Sequence, residues 1–529
     1  MSYTSFVYLV LIFFAVLFYY AFPKRTRWVV LMAANMVFYI YSGWDNFLFL
    51  LLSVLISYFT AREMAKLFEK LEQDINQEGL DKKQIKALKE ENKIQRRRYL
   101  IAGLAGVLAI LFAVKYTNFV LKNICGVIRI FNPSQETLVL KLIVPVGVSF
   151  YTFQMVSYLV DVYKGKVKAQ RNICKYVLYA SFFPSVVQGP IPRYKDLGEQ
   201  LYRGNAFEFE NIRNGALLIL WGFFKKLVLA ERLSIFVNDI YGNYAAYEGV
   251  ILALATVAYS IQTYADFAGC MDIVSGTAKL FGIKLAPNFL RPYFSKTLPE
   301  FWRRWHVTMG AWFKDYIFYP ISISKFSLKL NKNARKIFGN TMGRIISSSF
   351  PILVVWFLTG IWHGASWNYV AWGMFHGVLI MLSQIFTPYN EKLSEKLHIR
   401  TESFAFRLYQ MSRTFLLCCV GRVFFRANGL KEALRIFIRM FSGVGMQYMG
   451  AGQLLDHGLN KANMIVVLVA VFVLCTVSMM QERMDVTEAL FKKNIVVRWA
   501  LIYLLILAVF ILGKYGPGYN SAGFIYEKF

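Results

Sequence analysis

Between Ile345 and Asn390 the chain contains no Lys, Arg, Asp or Glu. About 20 apolar residues in a helix span a hydrocarbon core of about 30 Å, so this run is long enough for more than one crossing. Similar apolar stretches recur from end to end. Only 17% of the residues are charged and 57% are hydrophobic, against about 25% charged in ordinary soluble domains. The chain therefore reads as an all-α polytopic membrane protein rather than a soluble domain with an anchor. Its first apolar stretch, Phe6 to Phe22, has neither a basic start nor a small-residue cleavage site, and reads as a retained helix.

Candidate spans cover residues 4–22, 28–43, 46–61, 99–119, 139–160, 212–238, 248–270, 345–361, 365–388, 402–425, 463–481 and 497–515. Residues 173–192, ICKYVLYASFFPSVVQGPIP, are apolar but end in a Gly-Pro-Ile-Pro cluster. That pattern predicts a re-entrant or broken helix, tolerable only where protein or water satisfies the backbone. Residues 62–98 are expected to form a cytoplasmic loop of two amphipathic helices broken at Gly79. With no soluble domain or internal repeat in view, residues 1–529 read as a single membrane domain.

Orientation follows from the basic residues. Lys24–Arg27 and the loop 62–98, with eleven Lys or Arg against eight Asp or Glu, belong in the cytoplasm. Residues 481–498, with Arg483, Lys492, Lys493 and Arg498, belong there too. Both termini are then expected outside, and residues 516–529 form an extracytoplasmic tail. The net charge of +29 fits this rule and contact with anionic membrane lipid. A phosphate-bearing donor recruited from the cytoplasm would also use it. No nucleic-acid motif is present, and none of the six cysteines forms a C-x-x-C pair.

The chain has five histidines. His398 and His457 fall in polar loops and read as incidental; His376 reads as a hydrogen-bonded packing residue. His363 sits within the uncharged run, beside Trp362, Ser366 and Trp367. An imidazole at that depth is costly unless it is hydrogen-bonded or used, and the residues alone leave catalysis and a structural role both open. His306 lies in PEFWRRWHVTMGAWFKDYIFYP (299–320), which interleaves basic and aromatic side chains. Such a mix suits an interfacial helix or a basic mouth for a phosphate-bearing donor. No H-E-x-x-H, Gly-rich phosphate loop or G-x-S-x-G elbow occurs, and no metal site is expected.

Several blocks carry a family resemblance. They are VPVGVSFYTFQMVSYLVDVYKG (144–165), FFPSVVQGPIPRY (182–194), YADFAGCMDIVSGTAKLFGIKLAPNF (264–289), the FWRRWH block, GIWHGASWNYVAWGMFHG (360–377) and GRVFFRANGLKEALRIFIRMF (421–441). Their order resembles the membrane-bound O-acyltransferase family, in particular its bacterial alginate O-acetylation branch and, more distantly, the teichoic-acid D-alanylation proteins.

The resemblance implies a ring of about 11–12 tilted helices with re-entrant segments around a central funnel. Residues 264–377 would hold the catalytic core, with His363 as catalytic base and His306 as its partner. Asn288 and Trp302 would help orient the donor or stabilise an oxyanion, and Arg303, Arg304 and Lys314 would hold donor phosphates. The donor would be acetyl-CoA or an acyl carrier protein, used as substrate, with no bound cofactor. The acceptor side would be an extracellular polysaccharide or cell-wall polymer, served by an extracytoplasmic SGNH/GDSL-like transferase at a bacterial cytoplasmic membrane. The terminal FIYEKF resembles a motif of this branch, which makes Tyr526 a candidate acyl relay or an aromatic anchor. D-alanyl transfer from a carrier protein is the alternative within the family. A polymer-precursor transporter, with Asp266 and Asp272 as its only candidate relay carboxylates, and a recruiting scaffold are the alternatives outside it.

Overall fold

Where water is absent, a chain must satisfy its backbone internally, and helices do so segment by segment. The computed structural model describes residues 1–76, 80–445 and 457–516. They are almost wholly helical, with one antiparallel bridge, Phe289 to Trp305, as the only β pairing among them. Seven helices among the described residues are long and apolar enough to cross a membrane. By contact the chain divides into two compact units, Met1–Gly215 with Val274–Ala286, and Ala216–Ile273 with Pro287–Phe529.

In the first unit, α1 (Phe6–Ala21) starts at Ser5, whose side chain accepts from the Tyr8 N–H. It leads to α2 (Arg27–Ser42), α3 (Trp44–Ile75) and α4 (Lys82–Leu111). Over 62–98 the chain is helical in two arms, each continuous with a longer helix. The α3 helix runs on to Ile75, and α4 starts at an Asp81–Gln84 capping box; Gly79 lies outside the described residues. The two helices touch closely, because a Cβ on Gly103 would lie 2.6 Å from the Thr60 side chain. Helix α4 passes through a π-helical turn, Phe112–Tyr116, into α5 (Thr117–Phe131).

The expected span 139–160 is corrected. Residues 139–147 are not helical, and α6 (Val148–Tyr163) begins only after Gly147, which has φ +77°. An apolar run cannot by itself distinguish helix from extended chain, and Pro145 and Gly147 mark the true start.

The break in 173–192 is present. Helix α7 (Ile173–Ser181) ends, residues 182–193 turn without helix, and α8 (Tyr194–Tyr202) follows. Protein groups satisfy the freed backbone. Asn35 Oδ1 accepts from the Phe183 N–H at 2.9 Å, Tyr3 Oη donates to the Phe183 carbonyl at 3.3 Å, and Tyr179 Oη donates to the Pro192 carbonyl at 3.1 Å.

Two of the three dividing points between the units fall inside α9 (Phe209–Phe223) and α11 (Val250–Leu280), and the third follows Ala286. A second π-helical turn, Phe224–Ala230, joins α9 to α10 (Glu231–Gly242). Short helices α12 (Leu298–Arg304), α13 (Val307–Phe313) and α14 (Tyr319–Ser322) precede α15 (Lys325–His363), which kinks where Gly339 takes φ +76°. Then come α16 (Trp367–Lys396), α17 (Phe404–Arg426), α18 (Leu430–Ser442), α19 (Lys461–Gln481), α20 (Val486–Phe491) and α21 (Ile495–Leu512).

Helices α15 and α16 meet through glycine, as helices in lipid commonly do. A Cβ on Gly360 would lie 2.5 Å from the Tyr369 carbonyl oxygen, and one on Gly373 would lie 2.3 Å from that of Trp356. This seam fixes the end of α15, where His363 sits.

Candidate active site

All the side chains of the site lie in the second unit. Thr297 caps α12 by accepting from the Glu300 N–H, and the helix stops at Trp305. His306 follows in the left-handed region, φ 49°, an uncommon conformation for a residue with a side chain. The chain then turns into α13. Opposite runs the Asn288–Leu290 segment. The Leu290 N–H donates to the Arg304 carbonyl at 2.9 Å, and the Val307 N–H donates to the Asn288 carbonyl at 3.0 Å. This two-sided pairing delivers Asn288 to His306.

Asn288 is 3% exposed and His306 is fully buried. Asn288 Oδ1 lies 3.1 Å from the Thr308 backbone nitrogen, 2.9 Å from Thr308 Oγ1 and 3.1 Å from His306 Nδ1. A backbone N–H only donates, so the atom facing it is the amide oxygen. Oxygen only accepts, so His306 Nδ1 carries a proton. Burial lowers the His306 pKa and favours the neutral ring. Its Nε2 then holds the lone pair.

The two histidines share a neighbour. The Trp362 ring centroid lies 6.0 Å from that of His306 and 4.8 Å from that of His363. His363, 1% exposed, also packs against Trp372 at 4.8 Å and Phe425 at 5.3 Å. Trp372 leads on to His376 at 5.3 Å, and His376 to Trp302 at 4.8 Å. The structure thus gathers His306, His363, Trp302 and Asn288 into one buried aromatic region. His376 packs helices as expected, but its Nδ1 has no hydrogen bond among the described residues. The buried Trp302 indole N–H has no acceptor among them either.

The basic residues of the block separate into two groups. Arg303 and Lys314 are exposed, and Arg303 has no ion-pair partner among the described residues. Arg304 is committed to protein, with Glu300 at 2.9 Å and Glu482 at 2.7 Å. Glu482 also holds Arg291 at 2.6 Å. Burial pushes the Glu482 carboxyl up, but the two guanidinium groups outweigh it and hold the group below its ordinary value. Tyr526 lies outside the described residues.

Several residues of this region carry no obvious signal in the sequence. Arg422 is 3% exposed inside α17, and its guanidinium sits over the Trp305 ring at 4.5 Å. The only hint is a lone Arg in an apolar segment. Asn368 donates to the Phe424 and Ala427 carbonyls, both at 3.0 Å, and so ties the end of α17 beside His363. Lys225 and Lys226 are buried partners of the two intramembrane aspartates. Lys225 reaches Asp272 at 2.5 Å, and Lys226 reaches Asp266 at 2.6 Å and Glu231 at 2.7 Å. Among the described residues, no three His, Cys, Asp or Glu side chains cluster as metal ligands would.

Residues 168–420, which include Asn288, His306 and His363, match MBOAT, the membrane-bound O-acyltransferase family. Among curated relatives the chain is 29% identical to the probable alginate O-acetylase AlgI of Pseudomonas putida, over 70% of this chain and 70% of that protein. It is 28% identical to the corresponding Pseudomonas syringae protein, over 70% of this chain and 65% of that one. The peptidoglycan O-acetyltransferase of Helicobacter pylori is 28% identical, over 70% and 69%. The teichoic acid D-alanyltransferase of Streptococcus thermophilus matches a shorter stretch, 45% of this chain and 56% of that protein, at 30% identity. The match to the first of the AlgI proteins thus spans about two thirds of its length.

Proposed function

We propose that this chain is an O-acyltransferase that passes acetyl groups from a cytoplasmic thioester donor across a bacterial cytoplasmic membrane to an extracellular polysaccharide or cell-wall polymer. The observation that carries the reading is the pair of buried imidazoles, His306 and His363, on either side of Trp362. The Pseudomonas and Helicobacter relatives, by their names, transfer acetyl groups to such polymers.

In this reading His363 is the general base. A neutral imidazole has a ring nitrogen lone pair that can accept a proton, which is what a general base requires. His363 accepts the proton of the acceptor hydroxyl as its oxygen attacks the thioester carbonyl. The C–O bond forms, the C–S bond breaks, and the thiolate leaving group takes the proton back from the imidazolium. His306, with Nε2 as an acceptor, orients a donating group of the substrates; stabilising an oxyanion from Nε2 would require a second proton on the ring. Asn288 is then a positioning residue. Arg303 and Lys314 are the basic groups open to donor phosphates, whether of CoA or of a carrier protein's prosthetic group, whereas Arg304 would first have to leave Glu482. An extracytoplasmic transferase of the SGNH/GDSL type would complete delivery, with Tyr526 as the acyl relay at the outer face.

The paired carboxylates disfavour the transporter reading. Asp266 and Asp272, its only candidate relay groups, are held by Lys226 and Lys225.

The test is to release ester-linked groups from surface polymers with mild base, comparing cells that make the protein with cells that make His363→Ala at equal membrane level. Loss of released acetate is expected. Loss of D-alanine instead would move the protein to the teichoic-acid chemistry, and no loss of any ester would sink the catalytic reading. Tyr526→Phe removes only the hydroxyl, so unchanged polymer acetylation in that variant would end the relay proposal.

A further inference from the structure

The first unit carries a cleft of about 550 Å³ at the end of α1, lined by none of the histidines. Lys24, Arg203, Lys279 and Lys284 line it, from the segments that follow α1 and α8 and from the end of α11. The two carboxylates at its edge are already engaged. Glu208 accepts from Asn211 at 2.8 Å, and Glu210 is 3.5 Å from Arg213 and 3.3 Å from Asn214. None of the four cations has a carboxylate partner among the described residues. Four positive charges against two carboxylates leave the concavity net positive, which favours an anion.

The floor of the cleft is built rigidly. The Arg27 side chain is 8% exposed, donates to the Phe22 carbonyl at 3.1 Å and also bonds the Asn205 carbonyl. Asn205 Nδ2 donates to the Phe281 carbonyl at 3.0 Å. Gly204 has φ +67°, and a Cβ there would lie 2.1 Å from the Lys24 carbonyl oxygen. Three chain segments are thereby locked together, and the cations stand on a fixed base.

The surroundings indicate which anion. Phe207 and Phe209 flank Glu208 on the rim and are 59% and 69% exposed. Phe207 packs edge-on against Tyr20 of α1, with ring centroids 5.1 Å apart. Further back, α1 exposes Phe13, Phe14, Leu17 and Phe18. An apolar helix surface that ends in exposed aromatics and then lysines matches the depth profile of a lipid leaflet, from acyl chains to headgroups. A soluble phosphate compound would gain nothing from the apolar wall.

We propose that this cleft binds the phosphate headgroup of an anionic phospholipid, with the acyl chains lying along the exposed face of α1. The proposal is independent of the acyl-transfer reading.

The test uses the full-length protein in mild detergent and mass spectrometry of the intact protein during titration with phosphatidylglycerol or phosphatidylcholine. Wild type is expected to retain phosphatidylglycerol in preference to phosphatidylcholine. Lys24→Gln/Lys284→Gln is expected to retain roughly 30-fold less phosphatidylglycerol, given about 1 kcal/mol for each basic residue at a lipid surface. Lys82→Gln/Lys83→Gln, an equal loss of charge on the exposed start of α4, is expected to retain it like wild type. Equal retention by wild type and the Lys24/Lys284 variant overturns the proposal. So does displacement of the lipid by glycerol phosphate at the lipid's own concentration, which would assign the cleft to a soluble phosphate compound. Melting temperatures establish that the variants are folded. Lys284→Gln alone, at an exposed position, replaces the double variant if that one is not, and a retention equal to wild type overturns the proposal there too.

Discussion

His306 Nδ1 stands 3.1 Å from Asn288 Oδ1, and the Thr308 backbone N–H points at the same oxygen. One amide oxygen thus reads the backbone and dictates the proton position on the imidazole. Asn288→Ala removes the acceptor and lets the ring take either tautomer. Polymer acetylation, measured as base-released acetate at matched membrane level, should fall by on the order of 100-fold, less than the roughly 10⁴-fold loss when a catalytic imidazole is held in the wrong tautomer, because the freed ring still samples the right one. Asn288→Asp keeps an acceptor in place and should retain more activity than Asn288→Ala. Equal loss in both variants would leave Asn288 only a packing role.

The seam between α15 and α16 leaves no room for a side chain at Gly373, whose Cβ would lie 2.3 Å from a backbone oxygen. Gly373→Leu should destabilise the protein by about 2–3 kcal/mol, the usual scale of overpacking. It should also abolish acetylation by moving His363. Gly126→Leu, where nothing lies within 4 Å, should cost far less. Thermal unfolding in detergent compares the two.

Lys226 lies between Asp266 and Glu231. Lys226→Met leaves those two carboxylates buried without their shared cation. Breaking a buried pair from one side costs about 3–5 kcal/mol, so the variant should be depleted from membranes and should melt well below wild type. If it is as stable as wild type, the lysine contributes nothing to the fold.

Glu482 joins Arg291 and Arg304 at a partly exposed position. Its carboxyl pKa is depressed, so its stabilisation is complete above the ordinary value of 4.5 and is lost as the pH falls below it. Glu482→Gln should cost only about 0.5 kcal/mol at neutral pH, because exposed pairs are screened, and should flatten the acid limb of the stability profile. If Arg304 takes part in donor binding once released, the same variant should lower the KM for the donor and leave kcat unchanged. An unchanged KM would confine Arg304 to structure.

Much of the site was legible because its chemistry is costly. His363 stands out in an uncharged run for that reason, whereas His306 lies among basic and aromatic residues and is marked by its block's family resemblance; the structure places both against one tryptophan. The break after Ser181 was legible from Gly189, Pro190 and Pro192, whose backbone preferences are local. The residues that position the site were not. Asn368 and Arg422 act across helices far apart in sequence, and Lys225 and Lys226 look like stray charges in residues 212–238 until Asp272 and Asp266 are folded against them. Residues 139–147 mislead for the opposite reason: an apolar run reads as helix where the chain is not helical.

The π-helical turn at Phe224–Ala230 sets a phase. It contains one residue more than an α-helical turn would. Each residue advances an α-helix by about 100°, so the extra residue decides which way every later side chain of α10 faces. With one residue deleted there, Glu231 would turn about 100° away from Lys226, and Arg232 from its partners Asn463 and the Leu512 carbonyl. The spare residue is therefore a clocking device: it keeps the two ends of one long helix in step with different neighbours.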